Sequence, residues 1–414
     1  MTPEVKERIQ LIKQGKVPKG YKKVGEYIIP EKWSIKTFQE LCSGFDYGMN
    51  SSAKDYDGKN KYIRITDIDD ISHKFKKENL VTPKNELEKM YMVNKDDILF
   101  ARTGSTVGKT YIYDENDGNL YFAGFLIRMH VTNDNSYYIY SQTLMPTYKR
   151  WVKVMSKRSG QPGINAEEYK KVKVCWCEID EQQKIADILS TQDKVIELKE
   201  KLLEEKKKQK KYIMQKLIQS NNSQKNNTTF ARLGTLISQK SERNKQCLVS
   251  NVLSINNHAG FISQSEQFGK TVASSDLSNY KIVEFNNIAY NPSRINVGSI
   301  AIYKSLDKGI VSPMYTVFKT EKGLMSDYFM YMMQTNYMEQ KIKTLLSGSV
   351  RESLNFDDLC SVCIFLPDLQ AQKKIVGIIS TADKEIELIT KDLQQERLKK
   401  KALMQLLLTG IVRV

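Results

Sequence analysis

Gly104-Ser-Thr-Val-Gly108-Lys109-Thr110 carries the residue types of a loop that cradles nucleotide phosphates. Such a loop needs four residues between its glycines. Three stand here, with Thr103 where the first glycine belongs, and the related segment Asn296-Val-Gly298-Ser299 has no lysine. Nucleotide binding is therefore rejected. Asn291-Pro292-Ser293 shares its first two residues with the Asn-Pro-Pro-aromatic motif of amino-methyltransferases, but lacks the second proline and the aromatic. No glycine-rich loop for a methyl donor accompanies it. Asp67, Asp69 and Asp70 near Lys74 could suggest a metal-dependent nuclease. No second acid and lysine at strand spacing support that chemistry, so they read as a loop acid cluster. Cys360 and Cys363 form a lone pair distant from every histidine, and Cys42, Cys175, Cys177 and Cys247 are scattered. The expectation is free thiols in a reducing cytosol and no metal. No His, Cys or Ser constellation offers a nucleophile, so the chain reads as a non-enzyme.

The same loops hold side chains suited to another task. Arg102, Thr103, Ser105, Thr106 and Lys109 lie in one, and Asn291, Ser293, Arg294 and Asn296 in the other. Arginine reads guanine bidentately, asparagine reads adenine, and hydroxyls suit bases or phosphates. A second pair of loops, KRSGQPGIN and LSGSVRESLN, adds Lys157, Arg158, Gln161, Ser349, Arg351 and Ser353. Gly108 and Gly298 are assigned to turning the chain. Residues 149–173 hold Lys149, Arg150, Lys153, Lys157, Arg158, Lys170, Lys171 and Lys173, with Tyr148 and Trp151 interleaved. This cluster could neutralise phosphates, although a solvated helix face explains any one lysine. The whole chain agrees: 64 Lys and Arg against 48 Asp and Glu give a net charge of +16, which favours a polyanionic partner. The opening MTPEVKERIQLIKQGK has no signal-peptide core, and no stretch approaches the ~18 apolar residues of a membrane span. A cytoplasmic protein without a membrane partner is expected.

Those loops must be positioned by something, and the sequence duplicates it. QQKIADILSTQDKVIELKEKL from Gln182 matches QKKIVGIISTADKEIELITKD from Gln372, an offset of 190 residues. Carried ungapped to Gln219 and Thr409, the register keeps 18 identities in 38 positions. At the same offset DILFARTGSTVGKTYIY (97–113) lies over NIAYNPSRINVGSIAIY (287–303), and Asn165 falls on Asn355. The organisation is domain, helix, linker, domain, helix. We place the first domain at 1–180, its helix at 181–219, a polar linker at 220–229, the second domain at 230–368 and its helix at 369–410.

In the first helix Leu189, Ile196, Leu203, Ile213 and Leu217 fall on a heptad seam; in the second Ile379, Ile386, Ile389, Leu393, Leu403 and Leu407 do so. Both seams are charged in the middle, at Lys199, Lys206 and Lys210 and at Glu396 and Lys400. That pattern suits the two helices pairing with each other. Because helix two leaves the domain at which helix one ends, the pair is expected to be antiparallel and pseudo-two-fold symmetric. Thirty-eight residues would span roughly 57 Å, about 17 base pairs. Ser190-Thr191-x-Asp193 and Ser380-Thr381-x-Asp383 look like capping residues, so a short helix or kink is expected before each long one.

Within the domains YIRITDI, DDILFAR, TYIYD and FLIRMHV, then NVLSIN, NIAYN, SIAIYK and MYTVFKT, read as short strands. Helical stretches follow near Tyr137–Met155 and Ser326–Leu346. The fold class is α+β, two mixed domains separated by long antiparallel coiled-coil helices.

The chain resembles the specificity subunit of a type I restriction-modification system along essentially its full length. The resemblance rests on PEVKERIQLIKQGKVPKGYKK…IIPEKW, the DILFARTGSTVGK and NIAYNPSRINVGS loops, and both copies of QxKIxxIxSTxDKxIEL. It implies two target-recognition domains, each reading half of a bipartite, asymmetric double-stranded DNA sequence, with the helices setting an unread spacer. It also implies two modification (methyltransferase) subunits docked on those helices and, through them, two restriction (translocase and nuclease) subunits. S-adenosylmethionine, ATP and Mg would then sit on the partners, and no cofactor in this chain. Two other classes remain open on the residues alone: a coiled-coil scaffold whose basic domains bind RNA or acidic proteins, and an enzyme holding ATP at the near-miss loop. Sequence-specific duplex binding separates the first, and ATP binding by the isolated chain would revive the second.

Overall fold

A computed structural model describes residues 2–157, 160–220, 228–257, 259–263, 276–347 and 353–414. The chain divides into two compact units, one of Met1–Glu200 with Asp392–Val414 and one of Lys201–Lys391.

The first unit begins with α1 (Pro3–Lys13), β1 (Tyr21–Val24), β2 (Tyr27–Pro30), β3 (Ser34–Thr37), β4 (Cys42–Tyr47), β5 (Ala53–Asp55), β6 (Lys61–Ile63) and β7 (Val81–Pro83). It continues with β8 (Asp97–Ala101), β9 (Thr110–Ile112), β10 (Leu120–Phe122), β11 (Leu126–Val131), α2 (Ser136–Thr143), α3 (Pro146–Met155), α4 (Ala166–Tyr169) and β12 (Lys173–Trp176), then enters α5 (Ile179–Ser220). The central sheet runs β4-β11-β8-β9, all antiparallel. β8 is buried at all five positions and so lies at the centre of the domain. Pro146 starts a new helix, because its ring pre-sets the first turn and its missing N–H is no loss there. The expected stretch from Tyr137 to Met155 is therefore two helices.

The second unit repeats the frame. β13 (Thr228–Arg232), β14 (Ile237–Lys240), β15 (Val252–Asn256), β16 (Gly260–Ser263), β17 (Lys281–Val283), β18 (Ile288–Tyr290), β19 (Ile300–Ile302), β20 (Gly309–Val311) and β21 (Thr316–Thr320) come first. Next are α6 (Ser326–Met333), α7 (Asn336–Ser347), α8 (Phe356–Ser361), β22 (Cys363–Pro367) and α9 (Leu369–Leu407). Its sheet β14-β21-β18-β19 matches the first in order, and its hairpin in register: Ile98 pairs with Ile112 in one, Ile288 with Ile302 in the other. In each domain a last strand, β12 or β22, pairs with an early one, β3 or β13, and leads directly into a long helix.

Each core takes the start of one long helix and the end of the other. Ile185, Leu189, Met404 and Leu408 join the first core; Ile375, Ile379, Met214 and Ile218 join the second. Between these ends the helices run antiparallel within each unit. In the first, Asp193 pairs with Lys400 at 2.5 Å and Lys199 with Asp392 at 2.5 Å. In the second, Lys206 meets Glu385 and Lys210 meets Asp383, both at 2.5 Å. The seam residues Leu189, Ile379, Leu393 and Leu407 are buried, while Ile196, Leu203, Ile213, Leu217, Ile386, Ile389 and Leu403 are half-buried.

No separate short helix precedes the long ones at the Ser-Thr-x-Asp segments: α5 and α9 run unbroken through them. Ser190, Ser380 and Thr381 turn their hydroxyls back onto carbonyls of the preceding turn. The aspartates face outward from the helix to other partners. Asp193 accepts from Tyr137 Oη and Asp383 from Tyr331 Oη, the latter at 2.7 Å. A Tyr-Asp-Lys cluster thus recurs in both units, Tyr137-Asp193-Lys400 and Tyr331-Asp383-Lys210. Among the described residues no helix is long and apolar enough to cross a membrane.

Candidate nucleic-acid interface

The segment after β8 leaves a fully buried strand and must turn back into β9, which leaves little freedom for its backbone. Gly108 makes the return at φ +80°, and a Cβ there would meet Val152 Cγ1 at 2.4 Å. Gly298 does the same in the second domain at φ +87°. Glycine alone adopts that conformation without steric cost. Tyr148 Oη donates to the Gly108 carbonyl at 3.1 Å and Tyr169 Oη to that of Ala101 at 2.9 Å. Burial pushes both phenols upward in pKa. Tyr148 therefore holds the loop from inside, and Trp151 packs against Tyr148 and Tyr169 at the edge of the first core rather than standing among the exposed lysines.

The structure brings each pair of loops together, by the same bond in both domains. Ile164 N donates to Arg102 O at 2.9 Å, and Leu354 N donates to Pro292 O at 3.0 Å. Gly104 N also donates to Pro162 O at 3.0 Å, and Thr103 bridges Gly163. Gln161 lies over this turn, its amide nitrogen 3.3 Å from where a Gly104 Cβ would be. Downstream, Asn165 caps α4 through Glu168 N at 2.9 Å, and Asn355 caps α8 through Asp358 N at 2.8 Å.

The individual side chains differ in availability. Ser105 is exposed, and Thr106 donates to Thr103 O at 3.4 Å. Lys109 is committed: its ammonium pairs with Asp70 and donates to Ile68 O at 3.1 Å. That contact holds the Asp70 carboxyl below its usual range. The remaining acids of the cluster are equally occupied, Asp67 by Arg64 at 2.7 Å and Asp69 by the amides of Ile71 and Ser72. Lys74 reaches Glu197 at 2.5 Å. Among the described residues no group of three or more His, Cys, Asp and Glu could hold a metal ion. In the second domain Asn291 is buried and accepts from Ser293 N at 3.1 Å, while Ser293, Arg294 and Asn296 are exposed. Lys157 is exposed and Ser353 half-buried. Arg158, Ser349 and Arg351 lie outside the described residues. On and beside α3, Lys149, Arg150 and Lys153 face solvent.

Arg102 occupies a different setting. Its guanidinium carbon stands 5.0 Å from the centre of the Tyr47 ring, and its buried Nε has no hydrogen-bond partner among the described residues. It lines a cleft of about 680 Å³ with Tyr47, Met49, Arg64, Ala123 and Phe125. In the second domain Asn296 and Gly298 border a cleft of about 1020 Å³ backed by Met330, Met333 and Ile342. Tyr47 and Phe125 were not anticipated. The β4 segment CSGFDYG carries no repeat to flag it, and only Gly48 hints at a close approach: a Cβ there would fall 2.2 Å from Ala123 O.

Comparison with known proteins bears on this geometry. Residues 30–208 and 239–396 match the family described as type I restriction modification DNA specificity domain. The MjaX specificity subunit assigned to a type I restriction enzyme in Methanocaldococcus jannaschii is 27% identical over 417 residues, covering 94% of this chain and 96% of that protein. The MjaVIII specificity subunit from the same organism is 23% identical, covering 93% and 94%. The crystal structure of the type I restriction-modification S subunit from M. genitalium shares the fold, with a TM-score of 0.57 at 14% identity, covering 91% of this chain and 96% of that one.

Proposed function

The chain belongs to the type I restriction-modification DNA specificity family, and from that premise we propose that it reads a bipartite, asymmetric DNA target with one half-site per domain. The observation that carries the proposal is the duplicated loop frame. The bonds Ile164 N to Arg102 O and Leu354 N to Pro292 O fix the same backbone in both domains. The side chains on that frame differ: Arg102, Ser105 and Gln161 in one, Ser293, Arg294 and Asn296 in the other. A shared frame supports reading the duplex in the same way twice, and different side chains support two unlike half-sites. The exposed cations near α3 supply sequence-independent attraction to phosphates. The domains so used are 1–180 and 230–368, joined through the helices at 181–219 and 369–410.

The chemistry is assigned to partners: two modification subunits with S-adenosylmethionine, and through them two restriction subunits with ATP and Mg. The long helices carry a feature that suits two copies of one partner. Ile179 and Leu369, Ile188 and Ile378, and Leu198 and Leu388 are exposed apolar residues, paired at the 190-residue offset; Leu198 and Leu388 are 64% and 65% exposed. An exposed apolar residue that recurs at the same place in a duplicated helix suits a repeated contact.

The test is methylome sequencing of a strain holding the complete system, with and without this gene. Methylated adenines in one split motif, appearing only with the gene and changing in one half when 1–180 is exchanged, are the expected result. A methylated motif that persists without the gene would refute the proposal.

A further inference from the structure

The cationic side chains of the first domain divide sharply. Arg64 gives its fork to Asp67 through Nε at 2.7 Å and a terminal nitrogen at 2.9 Å, and Arg128 gives its own to Asp46 at 2.6 Å and Met92 O at 2.9 Å. Lys109 is taken by Asp70. Arg102 has an aromatic platform and, among the described residues, no acid. Its buried Nε lacks a partner among the described residues, as does that of Arg128, so what sets Arg102 apart is that no described carboxylate pairs with its guanidinium where it borders the cleft.

What could complete it follows from the walls. The cleft is lined mainly by apolar and aromatic groups, Tyr47, Met49, Ala123 and Phe125 among them, with Arg64 already neutralised. A phosphate would find one uncommitted guanidinium for its charge and, besides the neutral polar groups of Asn50, Ser51, Tyr62 and Thr66, mostly apolar surface, which is unfavourable. A purine fits better, being flat, apolar on its faces and neutral. Guanine alone presents two acceptors, O6 and N7, spaced for a guanidinium fork. Tyr47 also gives that fork a resting place before DNA arrives, its ring centre 5.0 Å from the guanidinium carbon. Its ring faces the guanidinium, and its hydroxyl accepts from Ala166 N at 3.2 Å, so the platform is itself anchored. A pre-oriented fork loses less freedom on binding than a free arginine would.

We propose that Arg102, held on Tyr47, reads a guanine in the half-site of the first domain. This rests on the DNA-reading function proposed above and names the base for one residue. It also predicts an asymmetry. Pro292 occupies the position matching Arg102 at the 190-residue offset, so the second domain cannot make this contact from the same position.

The experiment uses the full chain assembled with its methyltransferase partner and duplexes of the target motif. Each guanine is replaced in turn by 7-deazaguanine, which removes only the N7 acceptor. With the wild-type protein, one guanine of the first half-site should cost roughly ten-fold in affinity. With Arg102→Ala the same replacement should cost nothing further, and guanines of the second half-site should show no coupling to Arg102. Arg102→Lys keeps the charge and guards against a folding defect; it should bind with unchanged salt dependence and a weakened guanine preference, since an ammonium reaches O6 and N7 without the fork's fixed geometry. A first half-site without guanine overturns the assignment. So does equal sensitivity to 7-deazaguanine in wild type and Arg102→Ala, or a uniform loss across sequences with a shallower salt slope, which marks a phosphate contact. In those cases a split motif is still bound; absence of any split motif would instead refute the underlying function.

Discussion

Gln372→Ala should detach the second long helix from its domain at a cost far above that of an ordinary surface substitution. Gln372 is fully buried in the first turn of α9. Its amide nitrogen donates to Pro367 O at 2.8 Å and Gly323 O at 2.7 Å, and its carbonyl accepts from Met325 N at 2.9 Å. One side chain thus ties together the end of β22, the turn before α6 and the helix itself. Alanine leaves two carbonyls and one amide without partners. Each such buried group costs about 1–3 kcal/mol. Some of that is recovered as water enters the space left by the side chain, so the total should be about 3–5 kcal/mol, a large part of the stability of a typical domain. Amide exchange is the appropriate assay because it reads local opening directly. Protection of the Met325 amide should fall at least 100-fold, the equivalent of about 3 kcal/mol. Gln182→Ala is the internal control. Gln182 donates to Cys177 O at 2.8 Å and Asp134 at 2.7 Å and accepts from Asn135 N at 3.0 Å, so the Asn135 amide should respond instead. A Met325 amide still protected in Gln372→Ala, with a loss below about 1 kcal/mol, would refute the reasoning that these bonds hold the helix.

Three further outcomes are expected. Asp193→Lys should lower the melting temperature by opposing Lys400 and removing the acceptor of Tyr137, and adding Lys400→Asp should restore the ion-pair part alone; both side chains are partly exposed, at 30% and 21%, so the coupling should be about 0.5–1 kcal/mol. Burial raises the Cys175 and Cys177 thiols to about 12, so iodoacetamide at pH 8 should modify exposed Cys247 in the native protein and reach those two only on unfolding, as peptide mass spectrometry would read. Burial also lowers His73, with Lys149, Lys109 and Lys400 acting in the same direction against its hydrogen bond to Thr110 O. The unfolded chain then binds the proton more readily, so stability should fall as pH drops through about 6.5, the ordinary histidine value. His73→Asn, which suits the φ of +57° there, should flatten that part of a melting-temperature profile.

Local pattern carried the long helices and the strands of each sheet, because both depend on periodicity in neighbouring residues. It failed where a partner lies far away in the chain. Lys109 has the composition of a phosphate ligand, yet Asp70, 39 residues earlier, already holds it. Ser190-Thr191-x-Asp193 has the residue types of a helix cap, and only the approach of Tyr137 and Lys400 shows why an aspartate stands there. Tyr148 and Trp151 alternate with lysines along α3, but helical geometry turns them inward while the lysines face out. Tyr47 and Phe125 carry no motif at all. Their meaning comes from a cleft that forms only once β4 and the segment before β11 are side by side.

The recurring Tyr-Asp-Lys cluster explains how one duplication could yield a working pair. Each half of the sequence supplies one aspartate and one lysine, Asp193 with Lys210 and Asp383 with Lys400. In the fold the partners are exchanged: Lys400 goes to Asp193 and Lys210 to Asp383. Copying one helix therefore created both ion pairs at once, provided the copies ran antiparallel, since a parallel pair would set aspartate beside aspartate and lysine beside lysine. The glutamines follow the same logic, because Gln182 and Gln372 bind backbone carbonyls and amides of their own domains rather than variable side chains, Asp134 excepted. A domain held to its helix by core packing and by bonds from its main chain, both away from the loops, can change its loop side chains without losing that anchorage. The reading surface is thus free to diverge while the helices that carry it stay the same, which is the separation a protein needs if its target is to change without its assembly changing.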